Sequence, residues 1–220
     1  PSCGPGSAAS TPATPATSSD RGVARSPWSR TPVSNWLRFA VKSASCAVSL
    51  PAWAQVSPQR RAHIERVVAL LDEWAKKMNV PAREGDRWLR AGWLHDALRD
   101  APLPDERAHG PAAAECAAAQ GERDRGVLDA VRYHTIGCAG WDDAGRMLYL
   151  ADFLEPGRDS TGQRSDREVL AGRVPTDRDG VLREVARRRI EWVLRSGWPL
   201  VPETVAFWNA IVVKADKRSE

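Results

Sequence analysis

Six histidine and aspartate residues form an ordered series along this chain, and their side chains could carry chemistry. They are His63, the adjacent pair His95 and Asp96, His109, His134 and Asp152, and they include every histidine of the protein. Burying an ionisable side chain is costly unless a partner compensates it, yet the adjacent pair stands in the apolar segment GWLHDAL. Imidazole and carboxylate are ligands of divalent metals. The series therefore predicts a site for one metal ion, or for two ions that share a ligand.

Taken singly, these residues also have ordinary structural interpretations. A histidine such as His63 on an apolar helix face is more often a hydrogen-bonded core residue than a ligand. Asp152 alone would be a capping or surface carboxylate, His109 alone a residue at a helix start, and His134 alone a partner of a helix C-terminal dipole. The metal site is the more economical interpretation because all four histidines belong to one series.

The elements that must position these residues are predicted to be α-helices. From Ser57 onward, apolar residues recur at helical spacing, with Ser57 as N-cap and Pro58 in the first turn. The predicted helices cover roughly residues 58–78, 84–98, a third from HGPAAAE onward, 124–133, 143–155, 179–195 and 202–214. No segment alternates with period two for long enough to predict a strand. The predicted fold class is all-α.

The first fifty residues have a different composition. They open with PSCGPGSAASTPATPATSSD, which cannot bury enough apolar surface to offset the entropy of ordering it. We expect residues 1–50 to be a disordered extension or a misassigned start, and residues 51–220 to form one domain.

Composition favours a cytoplasmic protein. The four cysteines show no CxxC pairing, and no apolar run is long enough for a membrane span. An export signal in FAVKSASCAVSLPAWAQ is disfavoured because Lys42 interrupts its apolar part. The 32 basic and 28 acidic residues are interspersed. The run ARRRIEWVLR is therefore interpreted as a solvated helix face rather than a nucleic-acid contact.

Five motifs resemble those of the HD-domain metal-dependent phosphohydrolases, and specifically the bacterial YqeK family of symmetrical diadenosine tetraphosphate hydrolases. They are His63 with the following Glu65-Arg66-Val67, then WLHD, HGPAAAE, YHTIGCAG and LYLADFLEPGR. The dipeptide HD is a weak signal, whereas HTxG followed by YLADxxEPxR is far more specific. The resemblance covers about residues 51–209 and implies an HD-domain helical bundle.

The resemblance also implies the roles of the six residues. The ligands of the defining HD metal site are matched by His63, His95, Asp96 and Asp152. The additional histidines of binuclear members are matched by His109 and His134, and Asp96 would then bridge to the second metal. Iron is the metal that the resemblance implies, although these ligand types also accept manganese, cobalt or zinc.

The implied reaction is cleavage of diadenosine tetraphosphate to two ADP by metal-activated hydroxide. Arg158 matches the arginine of the EPxR motif and is expected to bind phosphate, with a surface salt bridge as its alternative role. Thr135 could donate its hydroxyl to a phosphate oxygen. Arg99, at a position where lysine is common, keeps the positive charge and is a candidate catalytic residue.

Among the ten tryptophans, Trp141 lies next to the His134 loop and is a candidate for stacking on an adenine, although a tryptophan is more often a core residue. Packing is the role predicted for Trp74, Trp88, Trp192 and Trp208. Two other functions remain open: hydrolysis of other nucleotides, and a nucleotide-binding regulatory module with little turnover. The expected partner is a nucleotide substrate, with no nucleic acid and no membrane, and a homodimer is compatible with these expectations.

Overall fold

Eight α-helices and one short 3₁₀ helix make up the part of the chain that the computed structural model describes, residues 49–157 and 164–216. The α-helices are α1 (Pro58–Lys77), α2 (Ala82–Leu94), α3 (His109–Ala119), α4 (Arg125–Tyr133), α5 (Asp143–Leu154), α6 (Arg164–Arg173), α7 (Arg178–Arg195) and α8 (Pro202–Asp216). The 3₁₀ helix, Glu106–Ala108, immediately precedes α3. These residues contain no strand, which confirms the all-α prediction.

Polar side chains fix the starts of several helices. Ser57 Oγ accepts a hydrogen bond from the backbone N–H of Arg60 at 3.2 Å, which confirms the predicted N-cap of α1. Asp124 and Asp142 cap α4 and α5 in the same way. Each such bond satisfies a backbone N–H that has no partner within its own helix.

Helix α5 is the central element of the fold. It packs against α1, α2, α4, α6 and α7. Its side chains are buried on nearly every side, including those of Met147, Leu148 and Leu150, as expected for a helix surrounded by other helices. A carboxylate on α5, such as that of Asp152, is therefore held in the interior of the protein.

Helix α2 ends earlier than the sequence predicts. The prediction extended it to Leu98, but the helix stops at Leu94. Beyond that residue the backbone N–H of Ala97 donates to the carbonyl of Leu94, and that of Arg99 to the carbonyl of Asp96, bonds that span three residues rather than four. In this tighter segment the side chains of His95 and Asp96 are only 0% and 3% exposed.

Helix α6 was not predicted from the sequence. Its segment RSDREVLAGR offers a narrow apolar stripe, on which Leu170 is the buried residue among the described side chains. A helix of this kind is fixed by packing on its neighbours, here α5 and α7, more than by its own periodicity. None of the described helices has both the length and the apolar character needed to cross a membrane.

Candidate metal centre

The six predicted ligands come together in the structure as two clusters of three. Within each cluster the donor atoms lie within 4.8 Å of one another, and all six side chains are buried. The first cluster consists of His63 from α1, His95 from the end of α2 and Asp152 from α5; the second consists of Asp96, His109 from the start of α3 and His134 from the end of α4.

The carboxylate of Asp96 connects the two clusters. Its Oδ2 lies 3.6 Å from His63 Nε2 and 3.7 Å from His95 Nε2. Its Oδ1 lies 3.2 Å from His109 Nε2 and 3.3 Å from His134 Nε2. Because each oxygen faces a different cluster, Asp96 could contribute one oxygen to an ion in each cluster.

Hydrogen bonds on the outer side of the imidazoles determine which ring nitrogen faces inward. His95 Nδ1 lies 2.7 Å from the carbonyl oxygen of Gly92, and His134 Nδ1 lies 2.8 Å from that of Val131. His109 Nδ1 bonds the carbonyl of Glu106 in the same way. A carbonyl oxygen can only accept, so each Nδ1 carries the proton, and the Nε2 of a neutral ring presents a lone pair to the cluster.

The inward donor atoms are arranged as a divalent ion requires. His63 Nε2 and His95 Nε2 are 3.3 Å apart, and His109 Nε2 and His134 Nε2 are 3.0 Å apart. Ligands bound at about 2.1 Å with angles between tetrahedral and octahedral are separated by about 3.0–3.5 Å. Burial lowers the pKa of His95 to about 4, so a proton does not occupy the Nε2 lone pair of His95 near neutral pH. The donor set therefore fits one ion in each cluster.

Arginine side chains hold the carboxylates from outside the clusters. Arg60 Nη1 lies 2.8 Å from Asp96 Oδ2, and Arg189 Nη2 lies 2.8 Å from Asp152 Oδ2. Burial alone would raise the pKa of Asp96, but the adjacent imidazoles, that of His95 foremost, hold it well below its usual range. This carboxylate thus stays ionised and able to bind a cation.

A further carboxylate, Glu155, supports the first cluster. Its Oε1 lies 3.1 Å from His63 Nδ1, and its Oε2 accepts from Arg66 Nε at 2.5 Å and from the backbone N–H of Gly157 at 2.8 Å. Burial raises the pKa of Glu155, but the hydrogen bonds from His63 and Arg66 outweigh it and bring the pKa to about 2. A carboxylate bonded to the outer nitrogen of a histidine orients that ring toward a metal.

Both clusters lie at the wall of one cavity of about 1080 Å³. Six arginines line it: Arg60, Arg66, Arg99, Arg107, Arg167 and Arg189. Thr135, a predicted substrate contact, also lines the cavity. Arg99 Nη1 donates to the carbonyl of Glu106 at 3.0 Å and lies 3.4 Å from His109 Nδ1, which places this guanidinium beside the second cluster. Arg158 lies outside the described residues.

The predicted contact of Trp141 with an adenine is wrong. Its indole is only 4% exposed, its ring centroid lies 5.3 Å from that of Phe207, and its Nε1–H donates to the carbonyl of Asp129 at 3.0 Å. It is a core residue, which was the alternative interpretation. The packing role predicted for Trp192 is also wrong, since that side chain is 54% exposed and lines the cavity.

Sequence reasoning missed the residues that hold the ligands in place. Glu155 stands three positions after Asp152, a spacing that puts both carboxylates on the same side of the chain as α5 ends. That spacing was the available signal. Arg189 was interpreted as part of a solvated face; its neighbours Arg187 and Arg188 do pair with Glu184 on the helix surface, but Arg189 turns inward to Asp152.

Replacing Glu155 with glutamine should weaken ion binding at the first cluster by about tenfold to a hundredfold, because a neutral amide holds His63 and Arg66 less firmly. Metal titration of the purified variant would measure this. The second cluster should keep its affinity. Glu106→Gln is a matched control, since that carboxylate lines the cavity but is largely exposed. Equal affinity in Glu155→Gln and the control would contradict a role for Glu155.

The metal-free protein should lose stability as the pH falls from about 6.5 to about 4. His95 has a folded-state pKa of about 4 against 6.5 for an unperturbed histidine, so the unfolded chain binds the proton first in this range. The free energy of unfolding should fall by up to about 3 kcal/mol, measured by urea denaturation at each pH. Glu155, with a pKa of about 2, contributes a loss only below about pH 4.5. A flat profile between pH 6.5 and 4 would contradict the burial of a neutral His95.

Comparisons with known proteins find sequences and a structure that this chain resembles. Residues 60–159 match the HD domain family model. A symmetrical bis(5'-nucleosyl)-tetraphosphatase of Halalkalibacterium halodurans is 29% identical over 111 residues, 50% of this chain and 57% of that protein. A protein of the same name from Bacillus subtilis is 29% identical over 92 residues, 42% of this chain and 47% of its own. The chain thus spans about half the length of the curated relatives it matches.

The fold also has a counterpart among solved structures. A crystal structure from Clostridium acetobutylicum, described as a predicted HD superfamily hydrolase involved in NAD metabolism, superimposes with a TM-score of 0.61. The two sequences are 21% identical, and the superposition covers 72% of this chain and 92% of the other. At this identity the likeness shows a shared helical fold.

Proposed function

We propose that the protein is a metal-dependent phosphohydrolase that cleaves diadenosine tetraphosphate symmetrically to two ADP, since residues 60–159 match the HD domain family model. The observation that carries the proposal is the position of Asp96, with one oxygen toward each histidine cluster at the wall of a large cavity. The names of the Halalkalibacterium halodurans and Bacillus subtilis relatives support the choice of substrate.

The proposed ligands are divided between the two ions. His63, His95 and Asp152 would hold the first, His109 and His134 the second, and Asp96 both. Iron is the expected metal, and manganese, cobalt or zinc would suit the same imidazole and carboxylate donors. Divalent ions held there would neutralise phosphate oxygens and lower the pKa of water.

The protein's own residues supply positioning and charge. Arg60 and Arg189 each hold one oxygen of a ligand carboxylate, which leaves the opposite oxygen of Asp152 directed at His63. The six arginines that line the cavity are balanced by six carboxylates, so two divalent ions would give the site a net positive charge. A polyphosphate, with about one negative charge per phosphate, complements such a site.

Two further residues are proposed to contact the phosphates. Thr135 lies on the cavity wall, and the guanidinium of Arg99 lies beside the second cluster. Arg158 is proposed from its motif alone. Arg158→Ala should raise KM or lower kcat without loss of metal, and an unchanged kcat/KM would remove this arginine from the site.

Anaerobic purification with metal analysis, followed by chromatography of the products of diadenosine tetraphosphate, tests the proposal. We expect two ions per chain and ADP as the only product. Products of ATP and AMP, or cleavage of other nucleotides only, would overturn the proposed substrate while leaving a hydrolase. Bound nucleotide without turnover would favour a regulatory module.

A further inference from the structure

The cavity is lined by both charged and apolar side chains. The charged ones include cluster residues and the six arginines, whereas the end of α7 and the loop after it contribute apolar ones. These are Ile190, Trp192, Val193, Trp198, Pro199 and Leu200. This part of the chain lies beyond the HD-domain match at residues 60–159.

Two tryptophans dominate this apolar wall. The indoles of Trp192 and Trp198 have ring centroids 5.2 Å apart and planes inclined by 84°. Each side chain is 54% exposed, although tryptophans are highly buried on average. Two nearly perpendicular rings form a corner in which a flat aromatic ligand can stack on one ring and contact the other with its edge.

The end of α7 holds this corner in shape. Gly197, with φ of +71°, adopts the left-handed conformation that ends many helices. The backbone N–H of Trp198 then donates to the carbonyl of Val193 at 3.1 Å, and that of Gly197 to Leu194 at 3.1 Å. These bonds return the chain onto the last turn of α7, so Trp198 is placed against Trp192 by local structure.

Helix α7 also connects the corner to the first cluster. Arg189, which binds Asp152, precedes Trp192 by three residues, about 4.5 Å along the helix axis. A nucleotide separates its phosphates from its base by a ribose. Phosphates beside the clusters would therefore leave the end of α7 within reach of the base.

We propose that Trp192 and Trp198 form the binding surface for a nucleobase of the substrate. This inference rests on the proposed function, because it assumes that the phosphates lie at the metal clusters. The wall around the pair is apolar, so binding depends on stacking and apolar contact and tolerates different purines. ADP and GDP should bind with similar affinity, and pyrophosphate should gain nothing from the pair.

Calorimetric titration of the metal-loaded protein with ADP and with pyrophosphate tests this proposal. Trp192→Ala and Trp198→Ala should each weaken ADP binding by about tenfold, a change typical of a lost stacking partner. Pyrophosphate affinity should stay at the wild-type value. Trp192→Phe should restore most of the ADP affinity because it restores an aromatic face.

Leu194→Ala is the matched control, since Leu194 lies on the same helix and is 58% exposed but does not line the cavity. Unchanged ADP affinity in both alanine variants would overturn the proposal, as would equal weakening of ADP and pyrophosphate. An altered oligomeric state in sedimentation, with ADP affinity unchanged, would assign the pair to a protein contact instead.

The two proposals fail separately. If the wild-type protein hydrolyses diadenosine tetraphosphate but the tryptophan variants bind ADP normally, the proposed reaction is supported and the proposed nucleobase site is wrong. If the variants lose ADP affinity while the wild-type protein does not cleave that substrate, the base site stands and the proposed reaction falls.

Discussion

Replacing Asp96 with alanine should remove both bound ions and lower kcat/KM for diadenosine tetraphosphate by about a thousandfold or more. Each cluster loses an oxygen donor at once, because Oδ1 and Oδ2 face different clusters. The fall in kcat/KM should exceed the fall caused by replacing a residue that only supports the ligands. Such a replacement costs about tenfold to a hundredfold. Metal content per chain and steady-state kinetics measure the two effects together.

Two variants separate this effect from a general loss of structure. Asp100→Ala removes a carboxylate that lines the same cavity and accepts from the backbone N–H of Ser57 at 2.7 Å, outside both clusters. It should keep both ions and its activity. Asp96→Asn keeps the shape but leaves one oxygen, so we expect at most one ion. Two ions and wild-type kcat/KM in Asp96→Ala would rule out the bridging role.

Replacing His134 with alanine should remove one ion per chain and lower kcat by about a hundredfold or more. The second cluster would retain only Asp96 Oδ1 and His109 Nε2, whereas the donors of the first would be unchanged. Metal analysis should therefore show one ion in place of two. This result would also show that a single ion does not support the full rate.

Gly110→Ala provides a companion variant that keeps every ligand. A Cβ at this position of α3 would lie 2.9 Å from the carbonyl oxygens of Val131 and Arg132, and 3.3 Å from His134 Cε1. It should force α3 and α4 apart and weaken the second ion site without removing a donor.

Retention of two ions and unchanged kcat in His134→Ala would mean that the second cluster is not an ion site.

The candidate ligands were accessible from the sequence because their residue types form one ordered series and their motifs resemble those of a known family. The N-cap Ser57 and the apolar periodicity of α1 and α5 were sufficient to predict those helices. A metal site was then the simplest explanation for histidines at helix ends and in helix interiors. What local spacing could not supply was the outer support of the ligands, because the bonds of Arg60 to Asp96 and of Arg189 to Asp152 join distant parts of the chain.

The two tryptophan errors have one physical cause. Helical periodicity shows that a residue lies on an apolar face, but not whether another element covers that face. Trp141 is covered by Tyr149 and Phe207, the latter contributed by α8 far along the chain. Trp192 lies on a face of α7 that the described residues leave half uncovered. Trp141 is therefore a packing residue and Trp192 a partly exposed one, the reverse of the roles that their positions in the sequence indicated.

Ions bound at the two clusters would also affect how the chain unfolds. The donor atoms are contributed by α1, by the ends of α2 and α4, by the start of α3 and by α5, which are distant in sequence. Bound ions would therefore cross-link the chain and close loops whose entropy the unfolded state would otherwise regain. Global unfolding would have to wait for ion release, so the lifetime of the loaded protein would follow the ion dissociation rate rather than the packing of its core.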